Sequence, residues 1–132
     1  MQEIAKNIIK WTKLKIRLHL SNKENNTYFK AREVWWASLG ANIGFEEDGK
    51  HDNFERPVLI LKKFNRHILW ALPLTSQDKQ GYFYYQFSYN NKKYSIILSQ
   101  LRLISSKRLL RKIRMFEVSD FEKARKHLKS LI

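Results

Sequence analysis

The 132-residue chain has no cysteine. That absence excludes a disulfide scaffold, a cysteine nucleophile and a thiolate zinc site, and it fits a reducing compartment. Long apolar runs are missing too: none approaches the roughly 20 residues a helix needs to cross a bilayer. The opening stretch from Met1 to Lys15 carries charges through its apolar positions. It lacks the uninterrupted apolar core and small-residue cleavage site of a signal peptide. A cytoplasmic protein that does not engage a membrane is the expectation. No phosphate-binding glycine loop, HExxH, GxSxG or EF-hand spacing occurs. The four histidines, His19, His51, His67 and His127, lie far apart in sequence and form no metal-ligand pattern. Each reads as a surface or satisfied histidine. Any catalysis then falls to side chains, with neither metal nor organic cofactor.

What is present is positive charge. The net charge is +14, and 43% of the residues are apolar, a globular composition long enough for one compact domain. The charge is uneven. Residues 1–30 carry seven Lys/Arg against two acids, residues 31–80 seven of each, and residues 81–132 twelve against three. A balanced middle between two basic ends favours a polyanionic partner, nucleic acid or an acidic protein, over lysines that serve only solubility.

Residues 2–20 satisfy two patterns. Ile4, Ile8 and Trp11 follow helical spacing, whereas Leu14, Ile16, Leu18 and Leu20 alternate as in a strand; a helix is the preferred reading. Ser21 to Asn26 forms a polar break. Residues 33–39 read as a buried strand, and Gly40 to Glu55 as a long acidic loop of the kind that is usually functional or disordered. Strands are expected at 56–63, 67–75, 82–89, 93–99 and 101–104, with Asn90-Asn91 turning a hairpin. A short helix is expected at Ser106 to Lys112. A C-terminal helix follows, capped by Ser119 with Glu122 and burying Phe121, Ala124, Leu128 and Leu131. Many short strands followed by helices predict an α+β fold, a small curved barrel with helices attached.

Four ordered blocks resemble the MazF/PemK family of toxins. They are Glu33-Val34-Trp35-Trp36 through Asn42-Ile43-Gly44; Arg56-Pro57-Val58-Leu59-Ile60; Pro73-Leu74-Thr75-Ser76; and Leu98-Ser99-Gln100-Leu101-Arg102 with Arg108-Leu109. The resemblance spans residues 31–132 and leaves residues 1–30 as a basic, helical N-terminal extension. It implies an SH3-like barrel with a C-terminal helix, a homodimer, and sequence-selective cleavage of single-stranded RNA. It also implies a cognate antitoxin whose acidic, foldable segment would suit the positive surface.

The resemblance places a catalytic arginine at Arg56. A guanidinium stays charged and can grip two phosphate oxygens; the structural alternative is an ion pair with a loop acid. Thr75 is the second catalytic candidate, with Ser76 as a weaker companion. The proton acceptor stays open between Glu47, His51 and Glu55. The PemK/Kid branch has an acid immediately before the matching glutamine, and its arginine lies two residues earlier. Ser99 and Ile97 stand there in this chain, so the MazF-like Arg/Thr arrangement is the better guide. Phe45 and Glu47 depart from the S-E-Q common in this loop. Gln100 and Arg102 match family positions that support the fold or dimer, and Lys50, Lys62, Lys63 and Lys79 are candidates to line an RNA path. Tyr82 to Tyr85 offer stacking rings, about half of which strand alternation turns to the core. Two other readings share the charge and fold class: a CcdB-like poison that binds a protein such as gyrase, and an inactive nucleic-acid-binding module.

Overall fold

The computed structural model describes residues 2–22 and 27–132. The elements are α1 (Gln2–Leu20), β1 (Glu33–Ser38), β2 (Glu55–Lys63), β3 (Ile68–Thr75), β4 (Tyr84–Tyr89), β5 (Lys92–Ile97), β6 (Arg102–Ser105), β7 (Leu109–Met115) and α2 (Val118–Ser130). Among the described residues, no helix is long and apolar enough to cross a membrane.

The competition between periods in residues 2–20 is won by the helix. Trp11 is buried, and Leu14 and Leu18 are half-buried, on one face at i, i+3 and i+7. The alternating residues that argued for a strand are split by the helical turn, leaving Ile16 and Leu20 in solvent. The helix stops at Ser21, whose hydroxyl donates to the Leu18 carbonyl. Most of the expected Ser21–Asn26 break lies outside the described residues.

The strands run β4-β5-β3-β2-β1-β7 in one antiparallel sheet, with β6 pairing with β3. Alternation along β1, β2 and β3 feeds two separate cores. Trp35, Val58 and Ile60 enter one, while Val34, Leu59 and Leu72 enter the other beneath α2. Both faces of the central strands are therefore buried, and each fully buried leucine contributes about 2–3 kcal/mol. Pro73 sits where the outer edge of β3 changes partner, between the β6 ladder ending at Ala71 and the β5 ladder starting at Leu74. A missing N–H is tolerated in that gap. The β4–β5 hairpin turns at Asn90 and Asn91, both with positive φ (51° and 62°), as a two-residue primed turn requires.

The ladder path does not close into a barrel. Its two ends, β4 and β7, meet through side chains instead: the Arg114 guanidinium lies 3.8 Å from the Tyr89 ring centroid and 6.0 Å from that of Phe87. The fold is thus a curved open sheet of seven strands with two helices.

Three expectations need correction. The helix expected at Ser106 to Lys112 is only a 3-10 turn over Ser106–Arg108, after which β7 pairs with β1. β1 is fully interior and needs a partner on both edges, and Leu109 is completely buried against it. Helical propensity loses to that demand. Second, Ser119 does not cap α2. The helix begins at Val118, its N-cap Glu117 makes no side-chain capping bond, and Glu122 pairs with Arg125 at 3.3 Å. Asp120, in the first turn, accepts the Tyr85 hydroxyl at 2.7 Å and ties the helix start to β4. Third, the fourth strand starts at Tyr84 and not at Tyr82; Tyr82 and Phe83 stay exposed.

Candidate active site

The Gly40–Glu55 segment is long but ordered. Leu39 and Gly40 both donate to the Phe54 carbonyl, Gly49 donates to Gly40, and Lys50 and Glu55 exchange backbone bonds at 2.8 and 2.9 Å. The Asn42 side chain donates to the Leu39 and Glu47 carbonyls. From behind, the Gln100 carboxamide accepts from the Glu47 amide and donates to the Phe45 carbonyl. These bonds hold the loop as a rim over the ends of β2 and β3.

Beneath the rim lies a cleft of about 610 Å³. Arg56 forms part of its wall. Its Nε donates to the Asp48 carbonyl at 2.7 Å, one terminal nitrogen donates to the Leu74 carbonyl at 3.1 Å, and the other lies 3.0 Å from the Glu47 carboxylate. A guanidinium has five N–H donors, so each terminal nitrogen keeps one for a ligand. The Val58–Pro73 and Leu59–Leu72 rungs, continued toward the strand ends, place Arg56 across from Thr75. Cross-strand neighbours share one face of the pleat, which brings the two residues to the same wall. The Thr75 hydroxyl accepts from the Gln77 amide at 3.2 Å, an arrangement that keeps its proton available to donate.

The cleft gathers most of the sequence candidates. Arg56, Thr75, Ser76, Glu47, His51, Glu55, Lys50 and Lys79 all line it. His51 sits in the loop's tight turn with φ of 64°. The Glu55 carboxylate is engaged by Arg111 at 2.8 Å and is nearly buried, whereas Glu47, paired with Arg56, is the more exposed of the two acids. The remaining candidates fall elsewhere. Lys62, at the far end of β2, lies over the Phe64 ring, and Lys63 donates to the Phe29 carbonyl. Gln100 supports the loop from behind. Arg102 donates weakly to the Leu39 carbonyl at 3.5 Å, and burial lowers its pKa. Tyr84 lines the cleft, whereas Tyr85 packs against the core.

Sequence reasoning missed Arg114 and Tyr89, which also line the cleft. The alternation Lys112-Ile113-Arg114-Met115 was the available signal for a strand there, and the expected helix masked it. With Glu47 and Glu55 each paired to an arginine, Lys50, Lys79 and Arg114 leave the cleft electropositive, which suits a phosphodiester chain.

Residues 30–132 match the family model described as PemK-like, MazF-like toxin of type II toxin–antitoxin system. The chain belongs to that family of toxins. No curated protein sequence matches it. Among solved structures, it is similar to MazF from Deinococcus radiodurans, with a TM-score of 0.65 and 19% identity over 80% of this chain and 96% of that one. It is also similar to an endoribonuclease in complex with its cognate antitoxin from a mycobacterial species, with a TM-score of 0.60 and 13% identity over 78% and 93% of the two chains. The Mycobacterium tuberculosis toxin MazF-mt6 follows with a TM-score of 0.57 and 16% identity over 75% and 94%. At such identities these likenesses show the fold, and α1 lies outside the family match.

Proposed function

We propose that the protein is the toxin of a type II toxin–antitoxin pair and acts as a metal-independent endoribonuclease on single-stranded RNA. The observation that carries this reading is Arg56. It is held in the cleft wall by two backbone carbonyls, 3.0 Å from Glu47 and across the ladder from Thr75. RNA supplies its own nucleophile, the 2′-OH. Its attack on the adjacent phosphorus forms the 2′,3′-cyclic phosphate and breaks the bond to the 5′ oxygen, which leaves as a 5′-OH after taking up a proton from water. Glu47 accepts the 2′ proton. The free N–H groups of Arg56 and the Thr75 hydroxyl stabilise the crowded phosphorane. Lys50, Lys79 and Arg114 hold the flanking phosphates, and Tyr84 and Tyr89 offer faces for unstacked bases. Similar solved structures include an endoribonuclease in complex with its cognate antitoxin, and an acidic antitoxin segment would suit this electropositive cleft. A homodimer belongs to the same reading.

The test is incubation of the purified chain with a long single-stranded RNA in excess EDTA, beside Arg56→Ala and Thr75→Ala. Cleavage at a few short motifs, leaving 5′-OH ends and lost in both folded variants, is the expected result. Intact RNA with a folded parent chain would instead favour the protein-binding poison, to be examined next by capture of gyrase.

A further inference from the structure

The helix α1 lies outside the family match, yet it reaches the candidate site through one side chain. Trp11 is the buried residue of α1. Its indole lies flat on the backbone of Gly40: a Cβ built there would sit 2.3 Å from the indole Cε2. The ring also meets Phe54, with centroids 5.8 Å apart. Gly40 and Phe54 are the two ends of the loop that carries Glu47, Asp48 and His51, and they are bonded to each other by the Gly40 amide and Phe54 carbonyl at 3.2 Å. Arg108 completes the contact. Its guanidinium lies 5.4 Å from the Trp11 ring and donates to the carbonyls of Ser38 and Leu39, the residues that lead into the loop.

We infer that Trp11 is a positioning residue for the site: by clamping both ends of the loop, it holds the Glu47 carboxylate and the Asp48 carbonyl against Arg56. A family-external helix thereby acts on the site without touching it. The loop's own hydrogen bonds close its neck, and the indole packs on Gly40 and Phe54, both buried there. Removing it opens the neck to water, and the strain reaches Asp48 through Gly49, whose amide is bonded to Gly40 at 2.8 Å. A displacement of about 1 Å at a catalytic group costs on the order of 100-fold in rate.

The proposal rests on the nuclease reading only for its activity arm. The experiment compares full-length Trp11→Ala and Trp11→Phe with the parent. Amide and arginine side-chain exchange are followed by NMR, and cleavage of single-stranded RNA is measured in parallel. In Trp11→Ala the Arg56 Nε–H and the Gly49 amide should exchange roughly tenfold faster, while the Leu59 and Leu72 amides keep their protection. Cleavage should fall about 100-fold in kcat with KM nearly unchanged. Trp11→Phe should recover most of both effects. Unchanged exchange at Arg56 and Gly49 overturns the proposal. So does a loss of protection spread evenly through the sheet, which would make Trp11 an ordinary core residue. A parent chain that leaves RNA intact defeats the nuclease reading, and the exchange data still decide the role of Trp11.

Discussion

The Arg56 guanidinium and the Glu47 carboxylate are joined at 3.0 Å on the wall of the cleft, with the arginine side chain mostly buried and the glutamate partly so. On the proposed nuclease reading, the ion pair and the catalytic pair are the same two residues. The arginine keeps N–H groups for phosphate while one terminal nitrogen fixes the Glu47 carboxylate in place.

Glu47→Gln separates the two roles. The carboxamide keeps the size of the side chain and can still accept a hydrogen bond from Arg56, but it is no base. Cleavage should drop by about 100-fold, while binding of an uncleavable 2′-deoxy strand holds or tightens because a negative charge has left the cleft. Single-turnover kinetics beside a binding titration would check this. A variant that cuts faster than the parent would show that Glu47 restrains Arg56 and does not act as the base.

Much of this site was legible in the sequence because its parts sit on strands. Arg56 before Pro57 and Thr75 after Pro73-Leu74 lie at the ends of adjacent strands, and strand pairing brings such ends together. The loop's acids were legible as candidates, but their division of labour was not. Glu55 is claimed by Arg111, a residue of β7, and the Ser106–Lys112 helix expectation placed no strand there. The same error hid Arg114. Local propensity favours a helix in that basic, leucine-containing segment; the unpaired edge of β1, a demand of the whole sheet, decides for a strand. Ser119 fails as a cap for a similar reason, since the Tyr85–Asp120 bond fixes where α2 begins. The packing of Trp11 on Gly40 is a long-range feature with no local signature.

That packing makes Gly40→Ala informative. Gly40 has φ of +92°, a conformation that side-chain-bearing residues resist, and its missing Cβ is the space the indole fills. The substitution should destabilise the chain by about 2–3 kcal/mol. Part of that cost comes from the backbone and part from the indole. In a Trp11→Ala background the steric part vanishes, so the cost should shrink by about 1 kcal/mol. Denaturant melts of the four proteins in the cycle measure the coupling. Strict additivity would mean that the two residues do not press on each other.

Glu33 contributes to stability on the acid side. Its side chain is buried in β1, where it accepts from the Lys30 amide at 2.9 Å and from the Trp35 indole at 3.0 Å, and pairs with Lys112 at 3.0 Å. Burial pushes its pKa up, but the hydrogen bonds from Trp35, Lys112 and Lys30 outweigh it and hold the carboxyl below its ordinary 4.5. A folded-state pKa below the unfolded one stabilises the fold fully above the ordinary value. The contribution is lost as pH falls through the folded-state pKa. At pH 7, Glu33→Gln should cost about 2 kcal/mol. That deficit should narrow as the parent is acidified below the ordinary value. Melting curves from neutral to acid pH would show the two proteins converging; a constant gap would mean that packing, and not the charge, sets the loss.

The remaining surface of α1 makes a separate prediction. Lys6, Lys10, Lys13 and Arg17 recur at intervals of four, three and four, so they line one exposed stripe beside the buried Trp11–Leu18 face. Among the described residues no ion pair involves them. On the nuclease reading this stripe gives RNA phosphates a second anchor outside the cleft. Replacing all four by glutamine in the full-length chain should weaken RNA binding about tenfold at low salt and reduce the salt slope by roughly 0.7 for each phosphate that is no longer neutralised. The rate at saturating RNA should not change, because Trp11, the loop and Arg56 are untouched. Titrations across a salt series, with the cleavage rate as control, read both effects. An unaltered slope would mean that RNA does not reach α1, and that its lysines act only on solubility.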